Sequence, residues 1–167
     1  LLAAPGIEVV LTRRDDTFIP LEERTALANR QAADLFVSIH ADSSRNRQAA
    51  GIETYVLNFA TSADAEAVAA RENATASGSM RNLPDMVRAI AQNNKRDESR
   101  ELADAVQQSL VSRLRPHNPP LRDLGVKQAP FVVLIGASMP SILAEVAFIS
   151  HESEGGLLKT PAYRQRI

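Results

Sequence analysis

The stretch Phe36-Val37-Ser38-Ile39-His40-Ala41-Asp42 decides the fold. It is a short, largely apolar run that ends in a histidine and an acidic residue, which is typical of a buried strand in a parallel sheet. Ligands of open α/β sheets bind just beyond the carboxyl ends of such strands. An imidazole at this place is held rigidly at a crevice, so His40 is a candidate metal ligand.

A second stretch, Ser141-Ile142-Leu143-Ala144-Glu145-Val146-Ala147-Phe148-Ile149, has one carboxylate within an otherwise apolar strand. A buried glutamate is costly unless a metal or a positive group compensates for it. Each residue alone also fits a structural role, because a strand-end histidine often bonds a carbonyl and a buried glutamate can pair with an arginine. Together, His40 and Glu145 favour a metallohydrolase site.

Composition narrows the function classes. The 167 residues are 44% hydrophobic and 23% charged, with a net charge of -1, so the chain carries no electrostatic signature of a nucleic-acid-binding protein. Since there are no cysteines, zinc would have to be held by histidine and carboxylate. No apolar stretch is long enough to span a membrane. We expect one domain over residues 1–167, truncated at both ends relative to its natural gene product.

The order of elements predicts an α/β fold with a mixed, mostly parallel twisted sheet of about five or six strands and helices on both faces. Helices are expected from Pro20 to about Ala32, from Asp97 or Ser99 to Pro116, and near Pro161. The remaining expected segments are strands at Gly6–Thr12, Asp34–Ile39, Gly51–Leu57, Phe131–Ile135 and Ser141–Phe148, a parallel crossover joining the first two, a proline-rich loop at Pro116–Pro130 and a polar turn at Ser150–Gly156.

Residues 58–96 are too long for an ordinary connection and are predicted to form a helical regulatory insert. One helix is expected over Ala63–Asn73, with Ala65, Val68, Ala69 and Glu72 on one face. A flexible break at Thr75–Ser79 would follow, and a second helix would open at Pro84. Its apolar face, formed by Val87, Ile90 and Ala91, is a candidate docking surface for a partner.

Ordered motifs give the chain a family resemblance. It resembles the catalytic domain of zinc-dependent N-acetylmuramoyl-L-alanine amidases of the cell-separation type. The motifs are Thr12-Arg13, Pro20-Leu21-Glu22-Glu23-Arg24-Thr25 with Ala28-Asn29, Ser38-Ile39-His40-Ala41-Asp42, Gly125-Val126-Lys127, Ala129-Pro130-Phe131, Met139-Pro140-Ser141, Glu145 and Phe148-Ile149-Ser150. They run in order over nearly the whole chain, and the ordered set is specific although each piece is short.

The resemblance implies hydrolysis of the amide between N-acetylmuramic acid and L-alanine in peptidoglycan, with a periplasmic or cell-envelope location and a role in daughter-cell separation. It implies Zn²⁺ as cofactor, with His40 as a ligand and Glu145 as catalytic base. A further histidine and glutamate ligand would precede Leu1. We therefore expect this chain to bind zinc weakly or not at all, and a longer chain to bind about one zinc.

The resemblance also implies a regulatory role for Glu72, because some members of that family carry a helix that blocks the groove with a carboxylate reaching the zinc. Glu66 is the second choice for this ligand, and a solvated helix-end residue is the alternative for Glu72. Arg13 is a candidate substrate-binding residue, whereas Arg24 and Asn29 are expected to brace the fold.

Two other functions remain open on the residues alone. One is a zinc peptidase of similar architecture, which would need a charged clamp for a terminal carboxylate, and Arg13 is the one candidate for it. The other is a non-catalytic wall-binding module, although the retention of both His40 and Glu145 speaks against it.

Overall fold

The computed structural model describes residues 5–76 and 83–167. Its strands are β1 (Phe36–Asp42), β2 (Ile52–Leu57), β3 (Asp123–Ala129) and β4 (Ser141–Phe148). Its helices are α1 (Leu21–Arg30), α2 (Ala63–Glu72), α3 (Leu83–Ala91), α4 (Arg96–Leu114), α5 (Glu152–Leu158) and α6 (Pro161–Arg164). Short 3₁₀ turns cover Asn73–Thr75, Arg115–His117 and Val132–Leu134.

The strands form one mixed sheet in the order β1-β4-β2-β3. The outer pairs, β1 with β4 and β2 with β3, are parallel, and the central pair β2 with β4 is antiparallel. The predicted α/β class with a mixed, mostly parallel sheet is confirmed. In the described ranges the sheet has four strands, rather than the expected five or six.

The strand expected at Gly6–Thr12 is the first difference, because these residues are irregular. Ile7, Val10 and Leu11 are exposed, and no strand of the described chain pairs with them. A short run rich in apolar, β-branched residues predicts an extended segment, but a strand also needs a neighbour for its backbone hydrogen bonds. The predicted parallel crossover from this segment through α1 to β1 is therefore wrong as well.

The second difference lies between Pro116 and Ile135. The expected proline-rich loop contains β3, an edge strand that pairs with β2. The expected strand Phe131–Ile135 is instead a buried 3₁₀ turn between β3 and β4. A short apolar run reports burial but does not by itself distinguish a strand from a helical turn. Similarly, much of the polar turn predicted at Ser150–Gly156 is the first part of α5.

Two hydrophobic clusters cover the two faces of the sheet. On one face, α1, α2 and the turn at Val132–Leu134 pack over Tyr55 and Leu143. On the other face, α4 and α6 pack over Ile52, Ala144 and Val146. The central strand β4 is buried at every position. The predicted inward face of α1, formed by Leu21, Thr25 and Ala28, is buried as expected.

The two helices of the 58–96 region form close to the predicted positions. Ser62 caps α2, since its side chain accepts a hydrogen bond from the Ala65 amide. Part of the flexible break expected at Thr75–Ser79 lies outside the described residues. The docking surface expected on α3 needs a correction, because Ile90 is 1% exposed in the core while Val87 is exposed. Within the described ranges, no helix combines the length and apolar character needed to cross a bilayer.

Candidate metal centre

The pairing of three strands places acidic and imidazole side chains side by side. In the parallel pair of β1 and β4, His40 lies opposite Glu145. In the antiparallel pair of β2 and β4, Glu53 lies opposite Glu145 from the other side. Because directly paired residues point to the same face of a sheet, the three side chains project towards α2.

Glu145 is the most unusual residue of this face. It is 0% exposed, and in the described part of the chain neither carboxylate oxygen has a hydrogen-bond partner. Burial raises the pKa of Glu145 to about 9, and the nearby charges of Asp42, Glu72 and Glu53 raise it further. A buried carboxylate without a partner is either protonated or compensated by a cation.

His40 and Glu72 meet above Glu145. The Nδ1 atom of His40 lies 2.6 Å from Oε2 of Glu72, and its Nε2 atom lies 3.1 Å from the Ser38 hydroxyl. The hydrogen bond with His40 lowers the pKa of Glu72, although burial acts in the opposite direction. Glu72 thus reaches β1 from the last residue of α2, the helix of the 58–96 region.

One ligand atom from each of His40, Glu72 and Glu145 lies within 4.8 Å of the others. An imidazole with two carboxylates is a donor set that suits zinc in the absence of cysteine. The unpartnered, buried oxygens of Glu145 are what a cation or its water would satisfy. On this observation the residues fit a divalent metal ion.

Two ion pairs enclose the group. Asp42, whose side chain is 1% exposed, accepts a hydrogen bond from Arg71 at 2.7 Å and another from the Ser43 amide at 2.6 Å. On the opposite side, Glu53 is paired with Lys127 and accepts a hydrogen bond from the Tyr55 hydroxyl at 2.6 Å. The floor of the site therefore holds several carboxylates, of which Glu145 is the one without a partner among the described residues.

The other residues singled out in the sequence lie elsewhere. Glu66 is exposed on α2 and is outside the three-residue group. Arg13 is exposed and lines a hollow of about 140 Å³ along β1 together with Arg24 and Ser38. Arg24 donates to the Ile19 carbonyl. Asn29 bonds Gly136 and Ser138, consistent with the expected bracing role.

Sequence reasoning missed the roles of Glu53 and Arg71. Glu53 carries the same signal as Glu145, a carboxylate in a short strand that is buried at every position, and this signal could have found it. Arg71 had no such signal, because an arginine near the end of a helix is ordinarily solvated.

The model of the Amidase_3 family, described as N-acetylmuramoyl-L-alanine amidase, matches residues 1–167. The chain belongs to this family. It is 34% identical over 172 residues to N-acetylmuramoyl-L-alanine amidase AmiA of Escherichia coli K12, covering 100% of this chain and 59% of AmiA. It is 36% identical over 174 residues to AmiC of Escherichia coli O6:H1, covering 97% of this chain and 40% of AmiC.

The fold agrees with a solved family member. The crystal structure of N-acetylmuramoyl-L-alanine amidase from Clostridium difficile 630 superposes with a TM-score of 0.70 at 31% identity, covering 99% of this chain and 68% of that one. The chain thus spans about half the length of the curated relatives it matches.

Proposed function

We propose that the protein hydrolyses the amide bond between N-acetylmuramic acid and L-alanine in peptidoglycan, in a zinc-dependent reaction. The observation that carries this proposal is Glu145, a buried carboxylate without a partner in the described chain, beside the imidazole of His40. Membership of the amidase family supports the substrate.

In this proposal His40 is a zinc ligand and Glu72 occupies a ligand position in the inhibited state. Zinc, when bound, acts as a Lewis acid towards a carbonyl group and makes water a nucleophile near neutral pH. His40 is oriented for this role, since Ser38 and Glu72 each contact one of its ring nitrogens. Any further ligands come from residues outside this set.

Glu145 is the proposed general base. It takes a proton from the attacking water and passes it to the nitrogen of the leaving L-alanine, so that the amide C–N bond breaks as the carboxylate of the muramic acid forms. The contacts of Glu53 with Tyr55 and Lys127 hold β2 in place next to Glu145. Burial of this floor beneath α2 excludes bulk water.

The test is release of soluble fragments from dye-labelled peptidoglycan, with and without EDTA, by the longer chain that is expected to bind about one zinc. We expect EDTA-sensitive release, with a new free amino terminus on L-alanine and an intact glycan. Release of free amino acids from soluble peptides, with no attack on peptidoglycan, would instead support the zinc peptidase. Binding to peptidoglycan without cleavage would support the wall-binding module, and either result would refute the proposal.

We propose that Glu72 is an inhibitory ligand, because α2 delivers its carboxylate directly onto His40. Glu72→Ala should raise the basal activity of the longer, zinc-loaded chain several-fold. Glu66→Ala is the matched control, since it removes the same charge from an exposed position of the same helix. Equal basal activity in Glu72→Ala and the wild type would refute the inhibitory role.

Withdrawal of α2 would then require a partner, and we propose an activator protein that contacts the exposed residues of the 58–96 region, such as Val87. Arg13 is proposed to bind substrate, and Arg13→Ala should raise KM more than it lowers kcat. Arg14→Ala, which changes the next and also exposed arginine, is its control. A cell-envelope location and a role in daughter-cell separation complete the proposal.

A further inference from the structure

The C-terminal end of α2 is held far more specifically than the rest of the helix. Three consecutive residues, Arg71, Glu72 and Asn73, each contact a different group. Arg71 binds Asp42, Glu72 binds His40, and Asn73 uses both halves of its amide on the segment after β3. By contrast, in the described chain no side chain of residues 63–70 hydrogen-bonds to another element.

The Arg71 contact joins a half-exposed cation to a buried anion. The side chain of Arg71 is 41% exposed, whereas that of Asp42 is 1% exposed, and their atoms lie 2.7 Å apart. Arg71 provides the one side-chain cation paired with Asp42 in the described ranges, and the second oxygen of Asp42 has no partner there. Loss of Arg71 would leave a buried carboxylate without its counter-charge, which is strongly unfavourable.

Asn73 fixes the same end of the helix to the opposite side of the site. Its Nδ2 donates to the Pro130 carbonyl at 2.8 Å, and its Oδ1 accepts from the Val132 amide at 2.8 Å. These bonds join the end of α2 to the backbone between β3 and the 3₁₀ turn. Since the residues are consecutive, withdrawal of the helix end that carries Glu72 must also break the contacts of Arg71 and Asn73.

We propose that the Arg71–Asp42 ion pair is a metal-independent latch that positions Glu72 over His40 and keeps α2 closed. This rests on the inhibitory role of Glu72 in the proposed function and adds the device that enforces it. Arg71 is thus a positioning residue for the inhibitory carboxylate. Opening of α2 must break the ion pair as well as the Glu72 contact. A partner that withdraws the helix therefore has to offset the loss of the Arg71 charge beside the buried Asp42 carboxylate.

Hydrogen exchange of the backbone amides in the metal-free chain tests the latch. In Arg71→Gln, the amides of the C-terminal half of α2 should exchange about tenfold faster or more, while those of β4 remain at wild-type rates. Arg71→Lys, which keeps the charge but loses the planar fork, should give an intermediate rate. Arg88→Gln is the matched control, because it removes an equal charge from the exposed face of α3.

The outcomes separate the latch from the proposed function. Unchanged exchange of α2 in Arg71→Gln would overturn the latch, and so would an equal acceleration in α2 and β4, since the pair would then stabilise the whole fold. Because the measurement needs neither zinc nor substrate, selective opening of α2 together with no amidase activity in the longer, zinc-loaded chain would leave the latch standing and refute the proposed function alone.

Discussion

Two glutamates, Glu145 and Glu154, are both buried but have opposite surroundings. Glu145 is 0% exposed and its oxygens lack partners in the described chain, whereas Glu154 is 4% exposed and accepts the Gly51 and Phe148 amides at 2.8 Å each. Burial raises the pKa of both, but in Glu154 these hydrogen bonds oppose the effect. Burial alone therefore does not distinguish a reactive carboxylate from a structural one, and the hydrogen-bond partners do.

The region around Glu154 shows what a structural carboxylate does. It ties the start of β2 to the end of β4, next to Gly51, whose φ is +127°. A Cβ atom at Gly51 would lie 2.6 Å from the Arg122 carbonyl, so this connection depends on a glycine as well as on the clamp. Glu53 is an intermediate case, since it is buried but paired with Lys127 and Tyr55.

The largest expected effect concerns catalysis. In the longer, zinc-loaded chain, Glu145→Gln should lower kcat by roughly 10²–10⁴-fold, because it removes the general base and preserves the shape of the side chain. Glu154→Gln, compared as folded protein in the same assay, should retain activity close to the wild type. An equal loss of kcat in both variants would show that Glu145 and Glu154 do not differ in their roles.

The next effect concerns stability. Glu154→Ala leaves two buried amides without an acceptor and should lower the free energy of unfolding by roughly 3 kcal/mol or more, measured by urea denaturation. Glu145→Ala loses no hydrogen bond within the described chain, so its cost comes from the cavity alone. If Glu154→Ala proved no less stable than Glu145→Ala, the clamp would not be the main contribution of Glu154.

A third effect, of similar size, should appear in the pH dependence of the free energy of unfolding of the metal-free protein. The pKa of Glu145 is about 9 in the fold against an ordinary value of 4.5. Between these values the native state keeps a proton that the unfolded chain releases, so the free energy of unfolding falls as pH rises. The slope reaches at most about 1.4 kcal/mol per pH unit.

The effect is measured by urea denaturation of the EDTA-treated wild type and of Glu145→Gln. The pH range runs from about 5.5 to about 8, which lies between the two pKa values. Glu145→Gln should show the flatter profile because its side chain does not titrate. Parallel profiles would show that Glu145 is already ionised in the metal-free fold, compensated by a group that the described contacts do not include.

The smallest effect concerns Glu53, the buried glutamate that is paired with Lys127 and Tyr55. Tyr55→Phe removes one hydrogen bond to Glu53 while Lys127 stays paired with that carboxylate, so the free energy of unfolding should fall by about 1 kcal/mol. Lys127→Met should cost more, because it leaves the buried carboxylate without a cation. The reverse order, measured in the same urea titrations, would show that the hydroxyl rather than the ion pair satisfies Glu53.

Much of the candidate site could be predicted from the sequence, because His40 and Glu145 differ in chemistry from the apolar residues around them. A histidine ending one apolar run and a glutamate within another marked His40 and Glu145, and the structure places them opposite each other on β1 and β4. The role of each stays a prediction. Glu72 was selected from its helix face with the help of the family resemblance, and the structure brings it to His40.

The sequence by itself determined the elements whose pattern is local: the buried strand β4, the inward face of α1 and the positions of α2 and α3. Tertiary structure alone decided which extended segments find a partner, so that Gly6–Thr12 is irregular while Asp123–Ala129 is a strand. It also decided that Arg71 meets Asp42, and that the carboxylate of Glu154 is satisfied while that of Glu145 has no partner in the described chain. The reason is physical, because periodicity records how a segment is buried, whereas hydrogen-bond partners come from residues distant in the chain.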